Sequence, residues 1–279
     1  MARRITTSTI KYLILIFACI VSIVPFYWMF ISSLKTSPEI MSRNIQWLPP
    51  NPQWENFVKA FSFMRPSLAR ALLNSTIVTV SSVGLMLLAS SLTGFALAKY
   101  KFRGNRIVFL YIISTMMIPS FVTLIPFYLI VNWLGWIDTY WPLIIPGAVS
   151  AYSVFLFRQY IITIPDQMLD AARLCGCSEF GLYWRIILPL SKPVLAALGL
   201  VNAVWVWNDL LVPMVMIHNR DLYTVQLALA GLWDIHGQLS ALNLVMACTT
   251  LATLPLIIVT IIVSKHLIKG WTGLSYAKR

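Results

Sequence analysis

Asp209 lies in the apolar run AVWVWNDLLVP, with Asn202, Trp205, Trp207 and Asn208 close to it in sequence. A charge at the centre of a membrane span costs at least about 2.5 kcal/mol on insertion scales, so it must face a bundle interior or a water-filled cavity. The cluster reads equally as a substrate pathway or gate and as a hydrogen-bonded anchor between helices. Cys175 and Cys177 form a C-x-C, but no further Cys or His stands at ligand spacing, and no metal is expected. Cys19 and Cys248 fall in apolar segments, where cysteine acts as a small hydrophobe. His218, His236 and His266 have no carboxylate or cysteine beside them and are assigned no role. The chain contains no G-x-S-x-G, no H-E-x-x-H and no G-x-x-x-x-G-K-[ST]. It therefore shows no means of covalent chemistry and none of binding ATP. Any uphill work must draw on an ion gradient or on another subunit.

These residues sit in a chain of 279, of which 59% are hydrophobic and 11% charged. Soluble domains carry about 25% charged residues. The composition is that of a polytopic membrane protein with one membrane-embedded domain. The net charge of +12 then orients spans rather than binding nucleic acid. Apolar windows of about 19 residues predict six spans: Tyr12–Leu34, Leu72–Ala98, Ile107–Val131, Tyr140–Ile162, Val194–Ile217 and Leu242–Ser264. The first is read as a retained span, too long for a signal peptide and without a clear cleavage motif. With the N-terminus inside, 15 Lys and Arg fall inside and 6 outside. That bias obeys the positive-inside rule and puts both termini in the cytoplasm.

The first outer loop, Lys35 to Ala71, holds the Pro- and Trp-rich section WLPPNPQWENF and reads as a short cap at the membrane interface. Pro25, Pro119, Pro126, Pro142, Pro146, Pro213 and Pro255 lie in or beside the spans and predict broken helices. The second span is rich in Ser, Thr and Gly, which favours close helix packing over a pore lining.

The longest polar interruption between spans is IPDQMLDAARLCGCSEFGLYWRIILPLSKP, Ile164 to Pro193. Pro165 and Asp166 suit a helix's first turn, Gly176 its left-handed end, and Ser178 the cap of a second helix. That second helix, Glu179 to Ile187, is expected to stop at or before Leu188, because Pro189 disfavours α geometry in the residue before it. Two short helices with a bend, standing in the cytoplasm between spans four and five, form a docking element.

In this stretch Asp170-Ala171-Ala172, three residues, Gly176, nine residues, Ile186, one residue and Leu188-Pro189 resemble the EAA-x3-G-x9-I-x-L-P signature of ABC importer permeases. Ser33-Leu34-Lys35, Asn56-Phe57, Asn74-Ser75, Ile118-Pro119, Ile125-Pro126 and Trp207-Asn208-Asp209 with Pro213 resemble the carbohydrate (maltose-type) subfamily, over nearly the whole chain. Asp170 replaces the usual Glu, and Cys175 and Cys177 replace residues that often flank the Gly. The resemblance implies an all-α, six-span type I permease whose coupling helix sits in a cleft of a separate ATPase. Asp170, Ala171, Ala172, Gly176, Leu188 and Pro189 would make and transmit that contact. It implies two ATP-binding subunits, a second permease and an extracytoplasmic solute-binding protein as partners. No cofactor belongs to the chain itself, since ATP is bound by partners. The implied domains are 1–70 (tail, first span and outer loop), 71–264 (permease domain) and 265–279 (cytoplasmic tail). An ion-coupled secondary transporter would instead need inverted repeats and ionisable residues in several spans.

Overall fold

A computed structural model describes residues 2–232 and 241–276, with side chains described over 10–232 and 241–264. His236 and residues 277–279 lie outside the described residues, as does the side chain of His266. Every regular element described is helical. The helices that frame the site are α1 (Ala2–Ser33), α2 (Glu55–Phe63), α3 (Leu68–Lys99), α4 (Asn105–Thr115), α5 (Ser120–Trp133), α6 (Ala151–Ile162), α7 (Asp166–Leu174), α8 (Glu179–Leu182), α9 (Lys192–Trp207), α10 (Leu211–Met216) and α11 (Leu242–Tyr276). Four stretches are long and apolar enough to cross a bilayer: Ile10–Ser33, Leu68–Lys99, Trp141–Ile162 and Leu242–Ser264. The count reaches six if each of two bent helix pairs is taken as one span.

The window Ile107–Val131, expected as one span, is two helices meeting at 99°. Pro119 adopts φ −62°, ψ 134° and has no N–H to continue the ladder. The turn before it tightens into three-residue bonds from Met116, Met117 and Ile118. The window Val194–Ile217 is also interrupted, since α9 ends at Trp207 and α10 begins at Leu211. Pro25 and Pro255, by contrast, sit inside unbroken helices.

Contacts divide the chain into two compact units, Met1–Arg70 with Ala228–Pro255, and Ala71–Leu227 with Leu256–Arg279. In the first, the turn after α1 is held by a buried polar knot. Asn56 Nδ2 donates to the carbonyls of Ser33 (2.9 Å) and Lys35 (3.0 Å), and its Oδ1 accepts from Asn243 Nδ2 at 3.1 Å. Lys35 is 1% exposed, donates to the Gln46 carbonyl and lies 4.5 Å over the Trp28 ring. A buried amide that satisfies two carbonyls leaves both orphaned when removed. Asn56→Ala is therefore expected to lower stability by about 1–3 kcal/mol, read as a fall in melting temperature in detergent. An unchanged melting temperature would show that water replaces the amide.

The second unit is built along α3, whose small residues meet its neighbours. Gly94 lies against Phe157 of α6, and a Cβ there would stand 2.7 Å from the Phe157 Cβ. Ser75 Oγ accepts from Val225 N, and Asn74 Nδ2 donates to the carbonyls of Asp221 and Tyr223 while its Oδ1 accepts from Tyr140. Two apolar clusters form around the helix. One holds Val78 with Leu143, Ile144 and Met216, and the other Phe95 with Phe157, Ile161, Leu169, Tyr183 and Ile187. At 1.5 Å per residue, Val78 and Phe95 are about 25 Å apart along α3. The second cluster carries the polar hairpin.

Candidate functional site

The hairpin follows α6 through Thr163–Pro165. Pro165 takes the N-cap position, φ −61° and ψ 135°, so α7 begins one residue later, at Asp166. Helix α7 faces two ways. Leu169, 1% exposed, plugs into the Phe95–Phe157–Tyr183 cluster, and Ala172 packs beside it. Asp170, Ala171 and Leu174 point outward, Leu174 being 91% exposed.

The turn ends α7 by a Schellman arrangement, in which Gly176 N donates to the Arg173 carbonyl (2.9 Å) and Cys177 N to that of Ala172 (3.0 Å). Gly176 holds φ +80°, the left-handed region open to a residue without a Cβ. Ser178 then caps α8, its Oγ accepting from Gly181 N at 3.2 Å. Cys177 is half-buried against Gly181, and Cys175 is exposed. Both are free thiols, and no group of three or more potential ligands gathers around a metal position among the described residues.

The second helix does not stop at Leu188, as the sequence reading expects. Tyr183–Ile187 form a π-helical turn, with Leu188 N bonded to the Tyr183 carbonyl, and Leu188–Leu190 continue as helix through Pro189. A proline in an α-helix collides with the carbonyl four residues back, and the wider turn relieves that clash. The sharp bend falls after Leu190 instead. There the Glu179–Leu190 segment meets α9 at 74°.

Charged groups brace the hairpin against α3. Lys99, at the end of α3, donates to the Ile164 carbonyl (2.5 Å) and to Asp166 Oδ1 (2.7 Å). Arg173 forks onto Glu179 through Nε (2.9 Å) and Nη2 (3.2 Å), and reaches Asp170 Oδ1 through Nη1 at 2.9 Å. Tyr100 donates its hydroxyl to the same Glu179 carboxylate. Burial, then the Glu179 charge, pushes the Tyr100 hydroxyl up to about 12, so it stays protonated and donates. Deeper in, Tyr183 and Ser91 hydroxyls meet at 2.7 Å. The result is a stiff two-helix projection, fixed to α3 and α6 and free on its outer face.

The Lys99 hydrogen bond and charge hold the Asp166 carboxyl below its ordinary range. A depressed carboxylate stabilises the fold above its unfolded pKa, and the contribution fades as pH falls through the native value. Asp166→Asn is thus expected to lower the melting temperature at neutral pH, with the gap to the parent closing on acidification. A gap that persisted at low pH would remove this pair from the brace.

The residues from Asn202 to Asp209 make separate contacts. Asn202 Nδ2 donates to the Leu198 carbonyl (2.9 Å), Trp205 is 75% exposed and Trp207 is buried. Asn208 bridges the Val204 carbonyl and Gln226. Asp209 is not inside a continuous span. It occupies the break before α10, where its Oδ1 accepts from Leu211 N (3.1 Å) and Val212 N (3.4 Å), an acid capping a helix start.

Lys99, Tyr100, Arg173 and Glu179 escaped the sequence reading. Their partners lie up to 79 residues apart, and the signal at hand was only a Lys ending one span and a Glu after a capping Ser.

Apolar helices long enough to span a bilayer, with a braced polar hairpin between two of them, define a membrane-embedded component. Residues 86–273 match the family described as binding-protein-dependent transport system inner membrane component. The chain belongs to that family, and it is a multi-pass membrane protein. It is 30% identical to the arabinooligosaccharides transport system permease protein AraQ of Halalkalibacterium halodurans, over 97% of this chain and 98% of that one. It is 32% identical to the sn-glycerol-3-phosphate transport system permease protein UgpE of Brucella suis, over 96% and 97%. Its fold resembles a chain in the crystal structure of a bacterial ABC transporter that imports the acidic polysaccharide alginate (TM-score 0.81, 25% identity, 95% and 97% covered).

Proposed function

We propose that the chain is the permease subunit of an ATP-driven importer that carries a sugar, oligosaccharide or related polar solute into the cell by alternating access. The relatives named above handle arabinooligosaccharides, glycerol phosphate and alginate, all rich in hydroxyls. Six spans result when α4 with α5 count as one and α9, which meets the Glu179–Leu190 segment at 74°, counts as another, with both termini cytoplasmic. The hairpin between the fourth and fifth spans is the coupling helix. Asp170 and Ala171 meet the ATPase, Ala172 seats α7 on the apolar cluster beneath it, Gly176 sets the turn, and Leu188-Pro189 carry the movement into α9. Asn202, Trp205, Trp207, Asn208 and Asp209 line or gate the substrate pathway from α9 and the break behind it. The domain division at 70 and 264 follows the same scheme. ATP is bound and hydrolysed by two partner subunits, and the chain carries no cofactor. A second permease and an extracytoplasmic binding protein complete the assembly in the cell membrane.

One observation carries the coupling role. The outer face of α7, with Asp170, Ala171 and Leu174, is exposed, yet its opposite face is seated through Leu169 on a cluster that includes Phe95 of α3. A free surface on a rigid mount transmits force. The purified assembly is expected to hydrolyse ATP faster when its binding protein is loaded with a hydroxyl-rich solute. Hydrolysis indifferent to every such solute, with polar non-sugar solutes active instead, would overturn the solute class. Absence of any co-purifying ATPase would overturn the mechanism.

A further inference from the structure

We infer that the turn between α3 and α4 binds the headgroup of an anionic phospholipid. The turn and the neighbouring part of α6 line an open cavity of about 530 Å³, within the 300–1,000 Å³ range of small-molecule sites. Three cations line it, Lys101 from the turn, Arg106 from the start of α4 and Arg158 from α6, and no carboxylate does. Among the described residues no ion pair reaches any of the three. Asp166 feels the Lys101 charge but is bonded to Lys99.

Arg158 is fixed in place rather than waving in solvent. Its guanidinium lies 4.0 Å over the Phe109 ring and its Nε donates to the Leu97 carbonyl at 3.4 Å. Convergent cations from two separate elements, one of them anchored by an aromatic face, make a built anion site. Helix α4 starts at this cavity, behind Gly104, with no side-chain cap, and so adds the positive end of its dipole.

The rest of the lining identifies the anion. Phe102 and Ile107 stand beside the cations and are 46% and 73% exposed. A free phosphate has no use for apolar walls, whereas a phospholipid presents phosphate and glycerol–acyl groups together. The site also lies where the apolar α3 ends and α4 begins, the kind of place at which spanning helices meet headgroups. Basic pockets at such ends attract anionic lipids.

The test is a titration of phosphatidylglycerol into the chain, purified with its companion subunits in a phosphatidylcholine background, with bound lipid read by native mass spectrometry. Phosphatidylglycerol should be retained over phosphatidylcholine. Arg106→Gln, at an exposed position that spares the fold, should weaken it about fivefold, and Arg106→Gln with Arg158→Gln further. Arg103→Gln, in the same turn but outside the cavity, should leave it unchanged. Equal retention of the two lipids would overturn the proposal, as would Arg103→Gln matching Arg106→Gln. Displacement of phosphatidylglycerol by inorganic phosphate alone would assign the cavity to a soluble anion instead. The readout is lipid occupancy, so it stands or falls apart from ATPase coupling.

Discussion

Gly176→Val is expected to leave the membrane assembly intact but cut solute-stimulated ATP hydrolysis by about tenfold or more. At φ +80° a β-branched residue is an outlier, and left-handed backbone costs roughly 1–2 kcal/mol for an ordinary L-residue. No atom lies within 4 Å of the Cβ that a side chain would add, so sterics outside the backbone play no part. Strain of that size is released where the chain is least held, at the exposed turn itself. Both Schellman bonds would then open, and the outer face of α7 would shift against α8. A contact that must transmit force loses efficiency by a decade for each ~1.4 kcal/mol of misfit. Gly176→Asn, which tolerates the left-handed region, should restore much of the activity. Hydrolysis unchanged in Gly176→Val would mean that the turn has no part in coupling.

Gly94→Val should act earlier and more severely, on folding. Even the first added carbon would stand 2.7 Å from the Phe157 Cβ, 3.0 Å from the Arg158 nitrogen and 3.2 Å from the Phe157 carbonyl carbon. These are backbone or near-backbone atoms and cannot rotate away. Helices α3 and α6 must separate, at a cost at or above the 1–3 kcal/mol usual for overpacking. Separation would also disturb the cluster that seats Leu169 and pull Lys99 from Asp166. The expected result is little protein in the membrane fraction and, for what remains, a much lower melting temperature. Gly84 provides the control, because nothing lies within 4 Å of its added carbon. If Gly84→Val and Gly94→Val behaved alike, close packing at Gly94 would not be the reason.

Much of the hairpin could be read from its residues, because its determinants are local. A left-handed Gly176, a capping Ser178 and an acid in the first turn of α7 act within four residues of themselves. The apolar windows located four helices long enough to span, for the same reason. What stayed hidden depended on partners distant in sequence. Leu169 is one apolar residue among many until Phe157 and Tyr183 close over it, and Arg173 gains its role only when Glu179 folds back. Proline positions were visible but not their effects: Pro119 ends a helix, Pro25 and Pro255 do not, and Pro189 is absorbed by a π turn. Whether a proline breaks a helix depends on what can re-satisfy the freed carbonyl, and in a bundle that is tertiary information. Asp209 was placed in a span by hydropathy, which cannot see a three-residue break.

Cys175 offers the most direct test of docking, since it is exposed, free and adjacent to Gly176. A thiol-reactive photocrosslinker attached there in the assembled complex should, on illumination, join this chain to an ATPase subunit. Cys175→Ser should abolish the adduct, leaving only background from Cys19, Cys177 and Cys248. A probe on Cys175 that gave no ATPase adduct while the complex still hydrolysed ATP in response to solute would contradict the docking role of the hairpin.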